Sequence, residues 1–268
     1  MSEIVAASIQ MRIGGSLDQN IEEADRLIKD AADRGAQVVC LPEYFSIPHA
    51  IIPSKEVYLK VHERTIDFLR DASRDYNLIV AGTMIESKEG GYFNTCFIYE
   101  RGRLLGKQTK VHLTEREEKF GLKHGDEFLV FESGIGVLGV LICADVLYPE
   151  AGRILGLKGA EIVLNPVVSF YRDDDPTREA RSSMFVSRSY DNDYFLLKAG
   201  GVGKSQFGTK IVGRSLITAP WGVLASAKDE NGSEIVIASL DMNLLKEVKK
   251  EDYSLYRRIK EAYRPLVE

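Results

Sequence analysis

The first hundred residues alternate two kinds of hydrophobic pattern. The stretches "IVAASIQ" (4–10), "AQVVCLPEY" (36–44) and "LIVAGTMI" (78–85) carry continuous apolar runs, whereas "NIEEADRLIKDAADRG" (20–35) and "VYLKVHERTIDFLRDASRDYN" (57–77) bring apolar residues back every three or four positions. That order predicts strand, helix, strand, helix, strand. In the first helix Ile21, Ala24, Leu27, Ile28 and Ala31 share one face, Asp18 is the expected N-cap and Gly35 the expected stop. The run "VVCL" is apolar on both faces, as in a strand covered on two sides.

From Gly91 to Leu113 the pattern changes to paired strands, with Glu100, Arg101 and Gly102 as the hairpin connection. A second alternating passage follows in "GVLGVLICAD", "YPEAGRILGLKG", "AEIVLNPVV", "TREARSSMFVSRSYDN" and "DYFLLKAGG". The tail predicts a hairpin around Asn231-Gly232 and a charged helix from Leu244 to about Tyr263. The two passages echo each other: "RGAQVVCLP" (34–42) aligns without gaps on "KGAEIVLNP" (158–166), each a helix end running into a core strand that stops at proline. Two similar half-sheets packed face to face, with helices outside, satisfy this pattern, so the expected class is α/β, a four-layer α-β-β-α sandwich. No low-complexity linker interrupts it, and residues 1–268 are read as one domain.

Composition narrows the function. Hydrophobic residues make up 44% and charged residues 28%, and no run approaches the ~20 uncharged residues of a membrane span. The start "MSEIVAASIQ" lacks a basic n-region and a small-residue cleavage site, which points to a cytoplasmic protein. Lys and Arg number 35 against 40 Asp and Glu, a net charge of −5, so no broad positive field exists to attract nucleic acid. Three widely spaced cysteines, Cys40, Cys96 and Cys143, fit free thiols in a reducing compartment. The four histidines form no close pair at metal-ligand spacing, and no metal site is expected.

Three predicted strand ends carry reactive residue types: Glu43 after Pro42, Lys110 beside His112, and Cys143 where "GVLICADVLYPE" turns from apolar to polar. Each alone has a plain reading as loop carboxylate, surface lysine or buried thiol. Together they supply a base, a cation and a nucleophile, the set that thiol chemistry needs because a free thiol is mostly protonated at neutral pH. Spacing alone does not bring them together in space. Aromatic and polar residues after the same strand ends, Tyr44, Phe45, His49, Phe170 and Tyr171, are candidates for a substrate wall, and Asn165 for a substrate contact or a loop cap.

Two motifs act as decoys. "KAGGVGKS" (198–205) departs from the phosphate-loop pattern, which requires glycine where Lys198 stands, and is read as a Gly-rich loop near the pocket rim. The run Asp173-Asp174-Asp175 precedes Pro176 and is read as a helix start with Asp175 as N-cap, rather than as a cation site.

The motifs "LPEYF", "KVHL" and "GVLICADVLYPE" stand in an order and at separations, 67 and 33 residues between Glu43, Lys110 and Cys143, that resemble the nitrilase superfamily of carbon-nitrogen hydrolases. The resemblance extends through "RILGLKGAEIVLNP", "SRSYDNDYFLLKAGGVG", "GRSLITAPWGVL" and "ASLDMNLL". It implies the same four-layer sandwich, Cys143 as nucleophile, Glu43 as general base and acid, Lys110 as stabiliser of the tetrahedral intermediate, and the backbone N–H of Ala144 in the oxyanion hole. A second glutamate seven residues past the lysine is implied at Glu117, with Glu115 and Glu118 close by. The implied reaction is hydrolysis of a small carboxamide or N-carbamoyl compound through a thioester, with no metal or organic cofactor. Cys143-Ala144-Asp145 stands where nitrilases usually read Cys-Trp-Glu, which argues for amide-type over nitrile substrates. The family also implies a homo-oligomer through "PEAGRILGLKG". The alternatives are nitrile hydrolysis by the same triad, a non-catalytic binding protein on this fold and a phosphate-loop-like nucleotide binder.

Overall fold

The computed structural model describes residues 2–50, 55–88, 90–172, 174–205, 207–251 and 255–266, with 55–59 as backbone only. The first passage forms β1 (Glu3–Ile13), α1 (Leu17–Asp33), β2 (Val38–Cys40), α2 (Lys55–Asp75) and β3 (Ile79–Lys88), followed by the hairpin strands β4 (Gly91–Glu100) and β5 (Arg103–Thr109). A short helix α3 (Glu115–Lys119) leads to the second passage: β6 (Val130–Ser133), β7 (Gly136–Val140), α4 (Pro149–Leu157), β8 (Ile162–Val167), β9 (Ser169–Phe170), α5 (Arg181–Asn192) and β10 (Phe195–Lys204). The tail adds β11 (Lys210–Val212), β12 (Leu216–Ala219), β13 (Gly222–Ser226), β14 (Glu234–Asp241) and α6 (Met242–Glu251).

One half-sheet runs β5-β4-β3-β2-β1, with β14 antiparallel on β1; the other runs β6-β7-β8-β10, with β12 and β13 beyond β10. Side chains alternate between faces along each strand, and that alternation builds three apolar layers. Ile4, Ala6, Val38, Cys40, Ile79 and Cys96 of the first half-sheet meet Leu138, Val140, Ile162, Leu164, Phe195 and Leu197 of the second in the central core. Outward-facing Ala7, Ile9, Val39 and Val80 pack on Ala24, Leu27, Ile28 and Leu69 of α1 and α2. On the far side Leu141, Val163 and Leu196 pack on Ala151, Leu155 and Phe185 of α4 and α5. The result is the expected α-β-β-α sandwich, with Cys40 and Cys96 as buried free thiols in its middle.

The two half-sheets join where the ends of β1 and β10 pair in parallel, Met11 to Gly201 through Ile13 to Gly203. The Gly-rich "KAGGVGKS" segment is therefore mostly strand, correcting its reading as a loop. Its glycines permit the close crossing: a Cβ on Gly200 would stand 2.7 Å from the Gly213 carbonyl carbon, and one on Gly201 2.7 Å from Ile13 Cδ1.

Three local expectations are also corrected. Ser16, in an extended conformation, caps α1 by accepting from the Gln19 N–H at 3.3 Å, while Asp18 is already helical; Gly35, at φ +86°, does end that helix. Helix α5 starts at Arg181, because Asp175 caps an earlier turn by accepting from the Thr177 N–H at 3.0 Å; Asp173 lies outside the described residues. The tail helix ends at Glu251, and a separate 3-10 turn spans Lys260–Leu266. Among the described residues after α6, Leu255 is buried but Tyr256, Ile259, Tyr263 and Leu266 are exposed, so little apolar surface packs there to support a long helix. Among the described residues, no helix is long and apolar enough to cross a membrane.

The crowding at the seam makes Gly200 a sensitive position. Gly200→Ala should lower stability by about 1–3 kcal/mol, read as a lower urea midpoint at unchanged slope; an unchanged midpoint would show that the seam tolerates a methyl group.

Candidate active site

The strand ends converge at one end of the sandwich. Pro42 follows β2, and Glu43 turns inward, 2% exposed, while Tyr44 adopts a left-handed conformation (φ +53°) with its N–H donated to Thr83 Oγ1 at 2.7 Å. Lys110 lies just past β5, and its backbone N–H donates to the Asn94 carbonyl on β4 at 2.8 Å. Its ammonium is 1% exposed and donates to Glu43 Oε1 at 2.9 Å and to Glu117 Oε1 and Oε2 at 2.9 and 2.8 Å. Asn94 Nδ2 joins the same carboxylates, donating to Glu43 Oε1 at 2.8 Å and Glu117 Oε1 at 3.0 Å.

Glu117 is held by its own helix. Thr114 is the N-cap of α3, and Glu117 at the third position accepts from the Thr114 N–H and hydroxyl, both at 2.9 Å, closing a capping box. Tyr44 adds its hydroxyl to Glu117 Oε1 at 2.7 Å. The pattern Thr-x-x-Glu was the available signal separating Glu117 from Glu115 and Glu118, which are exposed.

Cys143 starts a 3-10 turn, Cys143–Leu147, three residues beyond the end of β7, with φ +47°. A non-glycine residue in this conformation is strained and persists only where neighbours enforce it. Asp145, fully buried, supplies that enforcement: it accepts from the Ile142 N–H at 3.0 Å, the His112 N–H at 2.8 Å and bonds His112 Nδ1 at 2.9 Å. His112 in turn stacks on Tyr148 with ring centroids 3.5 Å apart. The Cys143 sulfur lies 3.7 Å from the Val168 carbonyl, and the Val168 N–H donates to Glu43 Oε2 at 3.1 Å, so one peptide segment after β8 touches both the thiol and the carboxylate.

Electrostatics divide the roles. Burial raises the Glu43 carboxyl above the ordinary range, with the Glu117 charge adding to it, and Lys110 only partly opposes this. Burial would also raise Glu117, but Lys110 and the Thr114 and Tyr44 hydrogen bonds hold it below the ordinary range. For Lys110 burial works against the charge, and Glu43, Cys143 and Glu117 overcome it, raising the ammonium pKa. Burial and then the Glu43 charge push the Cys143 thiol up, and Lys110 only partly opposes this.

Two cavities share Cys143 and Thr114. The smaller, about 170 Å³, is lined by Glu43, Tyr44, Lys110, Arg116, Glu117, Cys143 and Phe170, with the Arg116 guanidinium 4.8 Å over the Phe170 ring. The larger, about 920 Å³, opens past Ala144. The other expected wall residues lie elsewhere. Phe45 is fully buried in the core under α1 and α2, and His49 bonds the Lys204 carbonyl at 3.2 Å. Tyr171 sits between the Arg178 and Lys210 cations at 4.8 Å each. Asn165, fully buried, donates its side-chain N–H to the Leu141 carbonyl and acts on the strand pair β7–β8 rather than on either cavity. Asn94, Thr114 and Val168 were not singled out from the sequence. Among the described residues no group of three or more His, Cys, Asp or Glu side chains is placed to hold a metal ion.

Known proteins resemble this chain in sequence and in fold. Residues 5–250 match the family model described as carbon-nitrogen hydrolase. A protein from Pyrococcus abyssi named as a nitrilase is 34% identical over 92% of this chain and 93% of its own length. An omega-amidase from Xenopus tropicalis is 27% identical over 94% and 93%. The crystal structure of a carbon-nitrogen hydrolase from Helicobacter pylori superposes with a TM-score of 0.89 at 25% identity, covering 100% of this chain and 99% of the other. A chain that carries this fold and matches this model along most of its length belongs to the carbon-nitrogen hydrolase family.

Proposed function

We propose that the chain is a cysteine amidohydrolase that cleaves a small carboxamide or N-carbamoyl compound through a thioester. The observation that carries this reading is the Glu43 carboxylate, 2.9 Å from the Lys110 ammonium and lining one cavity with the Cys143 thiol. Glu43 takes the thiol proton as the sulfur attacks the carbonyl carbon. Negative charge then develops on the carbonyl oxygen, where the Lys110 ammonium and the Ala144 N–H stabilise it. Glu43 returns its proton to the leaving nitrogen, the C–N bond breaks, and an acyl thioester remains on Cys143. Water then loses a proton to Glu43 as it attacks the thioester; the acid leaves and the sulfur regains its proton.

Glu117 touches Lys110 and Tyr44 and acts by fixing the ammonium, which makes it a positioning residue in this scheme. Nitrile hydrolysis is the second reading, supported by the nitrilase name of the Pyrococcus abyssi relative. Ala144 after the nucleophile favours the amide reading. Exposed Ile154 and Leu157 on α4 and Tyr190 on α5 support pairing of two copies through that face.

Cys143→Ala should reduce ammonia release from a panel of short amides, carbamoyl amines and nitriles by about 10⁴-fold or more, with the fold intact by circular dichroism; retained turnover would refute the thioester route. The acid limb of kcat/KM should lie above the ordinary carboxylate range, because Glu43 must be ionised and its pKa is raised. Removing the negative neighbour in Glu117→Gln should move that limb to lower pH and cut kcat by roughly 10–100-fold. A limb that stayed in place or moved to higher pH would count against Glu43 as the base.

A further inference from the structure

The turn that holds Cys143 is tied to the segment that holds Lys110 by two side chains that the hydrolytic scheme does not use. Asp145, fully buried, divides its carboxylate between two tasks. Oδ2 accepts from the Ile142 N–H at 3.0 Å and so caps the 3-10 turn in which Asp145 itself lies. Oδ1 accepts from the His112 backbone N–H at 2.8 Å and bonds His112 Nδ1 at 2.9 Å. His112 stands just past Lys110, whose backbone is fixed on both sides: its N–H donates to the Asn94 carbonyl at 2.8 Å, and its carbonyl accepts from the Gly125 N–H at 2.7 Å. Neither Asp145 nor His112 lines either cavity beside Cys143.

The local cap needs only Oδ2. Oδ1 is committed to a residue 33 positions earlier in the chain, and the two N–H groups that converge on it fix both the backbone of that residue and the direction of its ring. A carboxylate only accepts, so Nδ1 carries the proton in this pair. The imidazole is held from its faces as well: it stacks on Tyr148 with ring centroids 3.5 Å apart and lies 6.0 Å from the Phe128 ring. At the far end of the same turn, Arg188 on α5 donates to the Val146 carbonyl at 2.9 Å and to the Leu147 carbonyl at 3.2 Å. The peptide that bears the Ala144 N–H is thus anchored before and after, and its anchor toward Ile142 is shared with the Lys110 segment. Donors to a developing oxyanion work only when they are held in place beforehand.

We propose that Asp145 and His112 are positioning residues, a brace that sets the separation between the Lys110 ammonium and the Ala144 N–H, the two donors to the oxyanion. One oxygen of the carboxylate holds the end of the Lys110 segment, and the other holds the start of the nucleophile turn. The left-handed backbone at Cys143 is then kept by a contact that also reports where Lys110 stands. The inference rests on the amidohydrolase reading for the role of the oxyanion, but acylation of Cys143 can be measured without amide turnover.

The test compares two reactions of Cys143 in the full chain, both followed by mass spectrometry. Acylation by 4-nitrophenyl acetate passes through an oxyanion, whereas methyl methanethiosulfonate reacts at sulfur, with sulfinate leaving, and forms none. In Asp145→Asn the amide turns an N–H toward one of the present donors in either orientation, so acylation and amide kcat should both fall by about 10²–10³-fold with KM little changed. Reaction with the thiosulfonate should stay within about 3-fold, because it reads only the thiolate and its access. His112→Phe keeps a ring on Tyr148 but loses the side-chain donor and should lower acylation by roughly 10-fold. His112→Asn places an N–H near the Nδ1 position and should recover most of that loss; this pair carries the test where Asp145→Asn fails to fold. Acylation unchanged in Asp145→Asn and His112→Phe, equal losses in the two reactions, or His112→Phe more active than His112→Asn overturns the brace, and Cys143-dependent ammonia release would leave the amidohydrolase reading intact. The expected acylation losses in a protein that releases ammonia from no amide support the brace and defeat that reading. A Cys143 that neither acylates nor turns over an amide defeats both.

Discussion

The buried ammonium of Lys110 is the group on which the rest of the site depends. At 1% exposure it has no access to water, and its hydrogen bonds end on two carboxylates from separate parts of the chain. Such a charge is tolerable in the interior only when paired and hydrogen-bonded with good geometry. Glu43 after β2 and Glu117 on α3 therefore have to arrive together, and Asn94 bonds both so that neither carboxylate can swing away. Burial, and then the Glu43 charge, disfavour the thiolate form of the neighbouring Cys143.

The sandwich supplies the rigidity that this cluster needs. Glu43, Lys110 and Cys143 each stand just beyond a strand end, β2, β5 and β7 respectively, so the sheets position their backbones, while Glu117 is held by α3. Val168 shows how tightly the halves are coupled: its N–H meets Glu43 from the first half-sheet, and its carbonyl meets Cys143 from the second. The left-handed backbone at Cys143 aims the sulfur inward, and the buried Asp145 holds that conformation through three bonds.

The two cavities on either side of Cys143 differ in electrostatic character. The smaller contains the cluster of Glu43 and Glu117 around Lys110; the larger is bordered by both signs of charge, with Arg178 and Arg214 paired to Glu230. Both cavities reach the same Cys143 side chain.

Local pattern determined much of this protein. The alternation of continuous and amphipathic apolar runs predicted the layers, and the motifs around Glu43, Lys110 and Cys143 named the residues that meet, because strand burial and strand-end placement are written in short-range hydrophobicity. The Thr114-x-x-Glu117 capping box was also legible, since it joins residues only three apart. Only the tertiary structure decided that Lys110 is buried rather than at the surface, that Asn94 and Val168 bridge the cluster, that Asn165 and Tyr171 line neither cavity, and that "KAGGVGKS" is mostly strand at the seam. These outcomes depend on contacts between residues far apart in the chain, whose energies come from desolvation and close packing that no local window of sequence contains.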